Sequence, residues 1–238
     1  SAGGVSANYI AKWNGSSWAA LGSGMNWAVF TLAFDGSGNL YAGGGFTTAG
    51  GASANYIAKW DGSIWSPLGS GMSGGSNYGY VLALALDGNG DLYAGGWFIT
   101  AGGLSAKYIA KWDGSSWSPL GSGADGSVHA LASDGSGDLY AGGYFAIAGG
   151  MSANHIAKWD GSSWSPLDTG SGNGLSDSAY ALVIDGSGNV YVGGSFTTAG
   201  GVSANYIAKW NGSSWSPLGS GMGGSFSPYV YALAVDGS

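Results

Sequence analysis

One short segment dominates this chain. Tyr-Ile-Ala-Lys-Trp occurs at Tyr9–Trp13, Tyr56–Trp60, Tyr108–Trp112 and Tyr206–Trp210, and returns at His155–Trp159 with His in place of Tyr. The Trp falls at positions 13, 60, 112, 159 and 210, so the unit is 47 to 52 residues long. A fixed period of this size means that one supersecondary unit is stacked in tandem, because a single unit cannot bury its own apolar face.

Each full unit divides into four strand-sized pieces. The first is Val81–Leu86 or Tyr231–Val235, and the second is Leu40–Gly44 followed by a variable residue and Phe46. Tyr-Ile-Ala-Lys-Trp is the third, and Ser-Trp-Ser-Pro-Leu, as at Ser116–Leu120, is the fourth. β-branched and aromatic residues alternate along them, which suits half-buried strands. The connectors Asp35–Asn39 and Asp113–Ser115 are tight-turn chemistry. Thr47–Asn55 is a longer link between the second and third strands. Numbered this way, the four pieces form one antiparallel sheet in sequence order, and tandem four-stranded sheets make a β-propeller. The expected fold is therefore all-β: a single domain over 1–238, a propeller of about five four-stranded blades.

The pattern resembles the kelch and galactose-oxidase-like propeller repeats. The resemblance rests on the paired glycines closing the second strand (Gly43-Gly44, Gly95-Gly96, Gly142-Gly143, Gly193-Gly194), an aromatic in the third, and a Trp followed three residues later by Leu, as in Trp117 and Leu120. The chain departs from the kelch third strand, Tyr-Asp-Pro, by carrying Ala-Lys-Trp-Asp/Asn-Gly. Repeats this uniform also resemble those of secreted bacterial surface proteins, which implies an extracellular or cell-surface location.

The first, third and fourth pieces occur five times and the second only four, at Leu40, Leu92, Leu139 and Val190. One blade is thus split between the chain ends and lacks one strand. Three explanations are open: the chain is a fragment of a longer array, which is the favoured one; a neighbouring molecule donates the strand; or the closing blade is locally rearranged.

Composition narrows the function. There is no Cys, Arg, Glu or Gln, and all six cations are Lys. That excludes thiol chemistry, disulfides, Cys-zinc sites and Arg clamps on phosphate. A net charge of −7 repels nucleic acid, and no apolar run is long enough to insert in a membrane. Asp87–Asp91 and Asp134–Asp138 are superficially like calcium loops but lack the later Glu, so a plain turn is expected. No cofactor or metal is expected, and no catalysis, because convergent acid, base and nucleophile groups are missing. The ten regularly spaced Trp suit packing between blades, and the repeated Lys suits pairing with a nearby Asp. His129 and His155 stand where sister units carry Tyr, and loss of a packing partner is the simplest reading.

Variation concentrates on one face, in the fourth-to-first connectors and in the residue after Gly-Gly. Candidate ligand-binding residues are Trp27, Tyr78, Trp97, Asp125, Tyr144, Asp177 and Phe226. Asp168 also falls in these connectors. Such a surface, aromatic and weakly charged, points to a non-catalytic binding module with surface glycan as partner. The alternative is a structural repeat in which another copy of the chain is the partner, building a filament, stalk or sheath.

Overall fold

A computed structural model describes residues 1–75, 79–167, 174–224 and 228–236. Four antiparallel sheets of four strands are present, each in the strand order 1-2-3-4 expected from the repeat. Blade I comprises Val29–Phe34, Leu40–Gly44, Ile57–Trp60 and Trp65–Pro67. Blade II comprises Tyr80–Leu86, Leu92–Trp97, Ile109–Trp112 and Trp117–Pro119. Blade III comprises Val128–Ser133, Leu139–Gly143, Ile156–Trp159 and Trp164–Pro166. Blade IV comprises Ala179–Ile184, Val190–Gly194, Ile207–Trp210 and Trp215–Pro217. The fifth unit contributes only a two-stranded hairpin, Ala11–Trp13 with Trp18–Ala20. Residues 228–236 form no ladder, so the expected strand Tyr231–Val235 is not realised as one.

The core lies between blades. Tyr41 and Ile57 of blade I cluster with Val81, Leu92, Phe98 and Trp117 of blade II, and the same sets recur around the ring. Close approach explains the first glycine of each pair. A Cβ on Gly43 would overlap Val81, one on Gly95 would overlap Val128, and one on Gly142 would overlap Ala179. Gly193 meets Val230 in the same way, so the C-terminal segment lies against blade IV where a next inner strand belongs.

The Trp series joins the blades as its spacing predicts. Within each unit the two rings meet at a tilt, with centroids 5.3–5.5 Å apart. The outer-strand Trp then donates its Nε1–H to a Leu carbonyl of the preceding unit. The pairs are Trp65 to Leu21, Trp117 to Leu68 and Trp164 to Leu120 at 2.9 Å, and Trp215 to Leu167 at 3.0 Å. The repeated Lys pairs as expected only where an Asp precedes the second strand: Lys111 with Asp91 and Lys158 with Asp138. In blades I and IV that position is Asn39 or Asn189, which donates to Asp35 or Asp185 instead. In all four blades the ammonium lies 5.5–5.8 Å from a second-strand Tyr ring.

Three local features depart from the sequence reading. The long connector is itself a hairpin, as in Thr48–Ala49 with Ala52–Ser53, turned by Gly50 and Gly51 at positive φ. The fourth-to-first connector is anchored to it through bridges such as Met25 with Ala49 and Ala124 with Ala148. Finally, the repeated Tyr stands before the third strand, not in it. Tyr9, Tyr56, Tyr108, His155 and Tyr206 all have φ of 61–71°, a left-handed conformation that L-residues seldom adopt. The reward is visible at Tyr56, whose N–H reaches Phe46 O at 2.8 Å while its carbonyl accepts from Gly44 at 2.9 Å.

Candidate recognition face

The left-handed Tyr/His position, the connector tips and the residue after Gly-Gly all lie on one face. The repeat thus presents side chains there at a cost in backbone strain, a pattern found at functional sites. The connectors vary less than their sequences suggest. Their first residues are bonded to the backbone before the third strand, as in Met25 N to Asn8 O at 3.1 Å and Leu175 N to Asn154 O at 2.9 Å. Only the tips are free to differ.

At three of the tips one polar residue clamps the hairpin beneath it. Asn26 Oδ1 accepts from the Thr47 and Thr48 amides at 2.9 and 3.0 Å. Asp125 Oδ1 does the same for Ala146 and Ile147 at 2.9 Å, and Ser176 Oγ for Thr197 and Thr198 at 2.9 and 3.1 Å. Asp125 therefore has a structural task as well as its place on the candidate surface. Asp177 accepts from its neighbour Ser178, through N–H at 2.7 Å.

An aromatic reaches this face from one of two positions. In blade I it is Trp27, from the connector, and Gly45 beside it leaves room: a Cβ there would overlap Trp27 and crowd Tyr80. In blade III the arrangement is exchanged, with Tyr144 after Gly-Gly and Gly126 in the connector. Blade II presents Trp97. All three rings are exposed, Tyr144 at 65%. The exchange produces two clefts. One, of about 440 Å³, is lined by Asn26, Trp27, Gly45, Thr47 and Tyr80. The other, of about 380 Å³, brings together Asp125, Tyr144, His155 and Asp177 over Phe145 and Ala146. Trp27 and Trp97 are not brought into this second cleft, and Tyr78 and Phe226 lie outside the described residues, as does Asp168.

Both histidines stand at positions where the fold brings variable side chains together. His155 is not merely a lost packing partner: it lines the cleft, its Nδ1 lies 3.2 Å from Gly143 O, and its ring meets Tyr144 at 6.1 Å. His129 occupies the bulge of the inner strand, between the paired residues Val128 and Ala130. The equivalent positions are Phe30, Leu82, Tyr180 and Tyr231. His129 stacks on Tyr180 at 5.6 Å and Tyr180 on Tyr231 at 5.1 Å, around a central cavity of about 200 Å³. His129 Nε2 also lies 2.9 Å from Ser127 Oγ, and burial holds its pKa below the usual imidazole value. The signal was one variable residue at a fixed place in an otherwise repetitive strand.

The opposite face is turn chemistry. Asp87 Oδ1 accepts from the Asn89 and Asp91 amides at 2.9 and 3.0 Å, and Tyr93 donates to Oδ2 at 3.2 Å. Asp185 is held near pKa 2 by the Asn189 side chain and by backbone amides. These carboxylates serve their own turns, as the plain-turn reading expected. Among the described residues no group of three His, Cys, Asp or Glu could hold a metal ion, and no helix is long and apolar enough to cross a membrane.

The architecture defines the class: the chain folds as a β-propeller. No protein-family model and no curated protein matches it. Among solved structures it is similar to the extracellular domain of BT4673 from B. thetaiotaomicron, at 14% identity and a TM-score of 0.58 over 87% of this chain. The chain spans about a quarter of that protein's length, 24%. YCF48 bound to D1 peptide matches at 16% identity and TM-score 0.47, over 81% of this chain and 53% of the other. A PL25 ulvan lyase matches at 13% identity and TM-score 0.39, over 86% and 59%.

Proposed function

We propose that this propeller is a non-catalytic, extracellular recognition module of kelch-like type whose connector face binds a neutral glycan. The observation that carries this reading is the cleft of Asp125, Tyr144, His155 and Asp177. An exposed Tyr ring offers a sugar face a stacking platform. Carboxylates and an imidazole beside it accept and donate to hydroxyls, and no Arg or Lys lines the cleft to select a phosphate or sulfate. Trp27 with Tyr80, and Trp97, give further platforms on neighbouring blades, so a branched or polymeric glycan can engage more than one. The reading is non-catalytic because Asp125 Oδ1 is committed to two loop amides.

Glycan-array screening, followed by titration of the hits, tests this. Tyr144→Ala should weaken binding roughly tenfold, as expected for loss of a stacking ring worth about 1.5 kcal/mol. Ile64→Ala, an exposed residue of a turn on the opposite face, should leave binding unchanged. Absence of any glycan ligand overturns the proposal, and binding indifferent to Tyr144 overturns its location.

A further inference from the structure

The cleft of Asp125, Tyr144, His155 and Asp177 has a hydrogen-bond polarity as well as a shape, because the fold fixes what each lining side chain has left to offer. Asp125 commits Oδ1 to the Ala146 and Ile147 amides, both at 2.9 Å. Asp177 commits Oδ1 to Ser178, to its N–H at 2.7 Å and its hydroxyl at 3.2 Å. Among the described residues Oδ2 of neither carboxylate has a partner. An ionised carboxylate oxygen can only accept.

His155 is fixed in the same sense. Its Nδ1 lies 3.2 Å from Gly143 O. A carbonyl cannot donate, so Nδ1 carries the proton and Nε2 of the neutral ring keeps its lone pair. Of the four polar side chains, only the Tyr144 hydroxyl has a hydrogen left to donate, and it accepts as well. No Lys or Asn lines the cleft to add a donor.

The blade I cleft provides the contrast. Its clamp is Asn26, whose Oδ1 accepts from the Thr47 and Thr48 amides just as Asp125 Oδ1 accepts in blade III. Its Nδ2, however, donates to Thr47 Oγ1 at 2.9 Å. One position of the fold therefore takes either an amide or a carboxylate with the clamp intact, and blade III carries the version that has no donor.

We propose that the blade III cleft selects its sugar by the hydrogens the sugar donates: a neutral hexose unit with free, adjacent hydroxyls is bound, and an O-methylated or carboxylate-bearing unit is rejected. This rests on the glycan reading above and narrows it to a substrate class. With the sugar face on the Tyr144 ring, hydroxyls at its edge donate to Asp125 Oδ2, Asp177 Oδ2 and His155 Nε2. A methyl ether has no hydrogen to give, so these acceptors lose their water and gain no partner. A uronate brings a further acceptor-only group of like charge. Both carboxylates are exposed and each already accepts two hydrogen bonds, so a cationic ligand gains little over a hydroxyl.

The probes are hexamers of glucose, mannose and galactose, each beside its O-methylated form, its uronate counterpart and its 2-amino-2-deoxy counterpart, titrated by calorimetry into the 238-residue chain. At least one neutral parent should bind, its O-methylated form about tenfold more weakly or worse, and the uronate more weakly still. Asp125→Asn retains the clamp that Asn26 shows to be sound and puts a donor where Oδ2 stood. It should leave Tm unchanged, weaken the neutral parent about tenfold and narrow the gap to the methylated form. Asp177→Asn, which lies outside the clamp, should act in the same direction. Equal binding of parent and methylated oligomers, wild-type affinity in both Asn variants, or preference for the amino oligomer overturns selection by donated hydrogens and leaves the glycan reading standing. Failure of every oligomer and every array glycan to bind overturns both.

Discussion

The inter-blade Trp bond can be isolated, because the repeat supplies its own control. Trp117 is 4% exposed and donates to Leu68 O at 2.9 Å, while Trp18, at the same place in the fifth unit, is 40% exposed. Trp117→Phe keeps an aromatic ring but removes the N–H. The Leu68 carbonyl keeps its bond from the Gly71 N–H at 3.1 Å but loses the indole donor, at about 0.5–1.5 kcal/mol. The smaller ring forfeits roughly another 1 kcal/mol of apolar burial. The total of about 1.5–2.5 kcal/mol corresponds to a Tm lower by about 3–10 °C for a chain of this size. Trp18→Phe should change stability by no more than about 0.5 kcal/mol. Urea and thermal melts followed by far-UV circular dichroism measure both. Equal losses at the two positions would refute the idea that blades are joined through this bond, since local ring packing within the unit is the same in both.

Other consequences follow from the same geometry. Gly96→Ala places a Cβ on Tyr80 O and should cost about 1–3 kcal/mol or more, whereas Gly36→Ala meets nothing and should be neutral within about 0.5 kcal/mol in the same melts. His129 is half-buried, and desolvation holds it below the ordinary imidazole pKa. The unfolded chain therefore takes up a proton first as pH falls, and stability present above about pH 6.5 is lost as pH drops toward the folded value. A Tm series from pH 8 to 5 should show this loss, and His129→Tyr, which matches Tyr180 in the next blade, should flatten it. The turn carboxylates act lower: Asp185, near 2 when folded against an ordinary 3.8, should hold its contribution above pH 4 and lose it between about 4 and 2. Asn189→Ala should narrow that window by removing the main donor.

How far the sequence carried the reading depends on what kind of interaction fixes each feature. Strand existence and order were readable because they rest on local chemistry that recurs: alternation in Val29–Phe34, Asp-Gly turns, and paired glycines of which the first lies against the next blade. The burial of Trp65, Trp117, Trp164 and Trp215 was readable from strict spacing. The hairpin inside Thr47–Asn55 was not, because two-residue strands such as Thr48–Ala49 have too few side chains for alternation to register. The left-handed Tyr56 and its relatives were hidden for a different reason. A Tyr beside Ile-Ala-Lys-Trp has every local propensity of a strand residue, and only the non-local bonds to Phe46 and Gly44 hold it elsewhere.

The same distinction explains the candidate site. Trp27 and Tyr144 stood out as departures from the repeat, and their exposure follows from that. Yet what makes each a cleft is a compensating Gly: Gly45 beside Trp27, Gly126 beside Tyr144. In a chain with 50 glycines, two more carry no visible signal. His155 and His129 were discounted for the same cause, since a His at a Tyr position is equally drift or design until its neighbours are known. Only the fold places His155 beside Tyr144 and Asp177, and His129 beneath Tyr180 at the axis. The split unit runs the other way: the count of second strands already said that one was short. Beside it Leu32, Phe34, Trp13 and Trp18 are exposed, whereas Leu84 and Leu86 of blade II are packed against the core and Trp65, Trp117, Trp164 and Trp215 are buried.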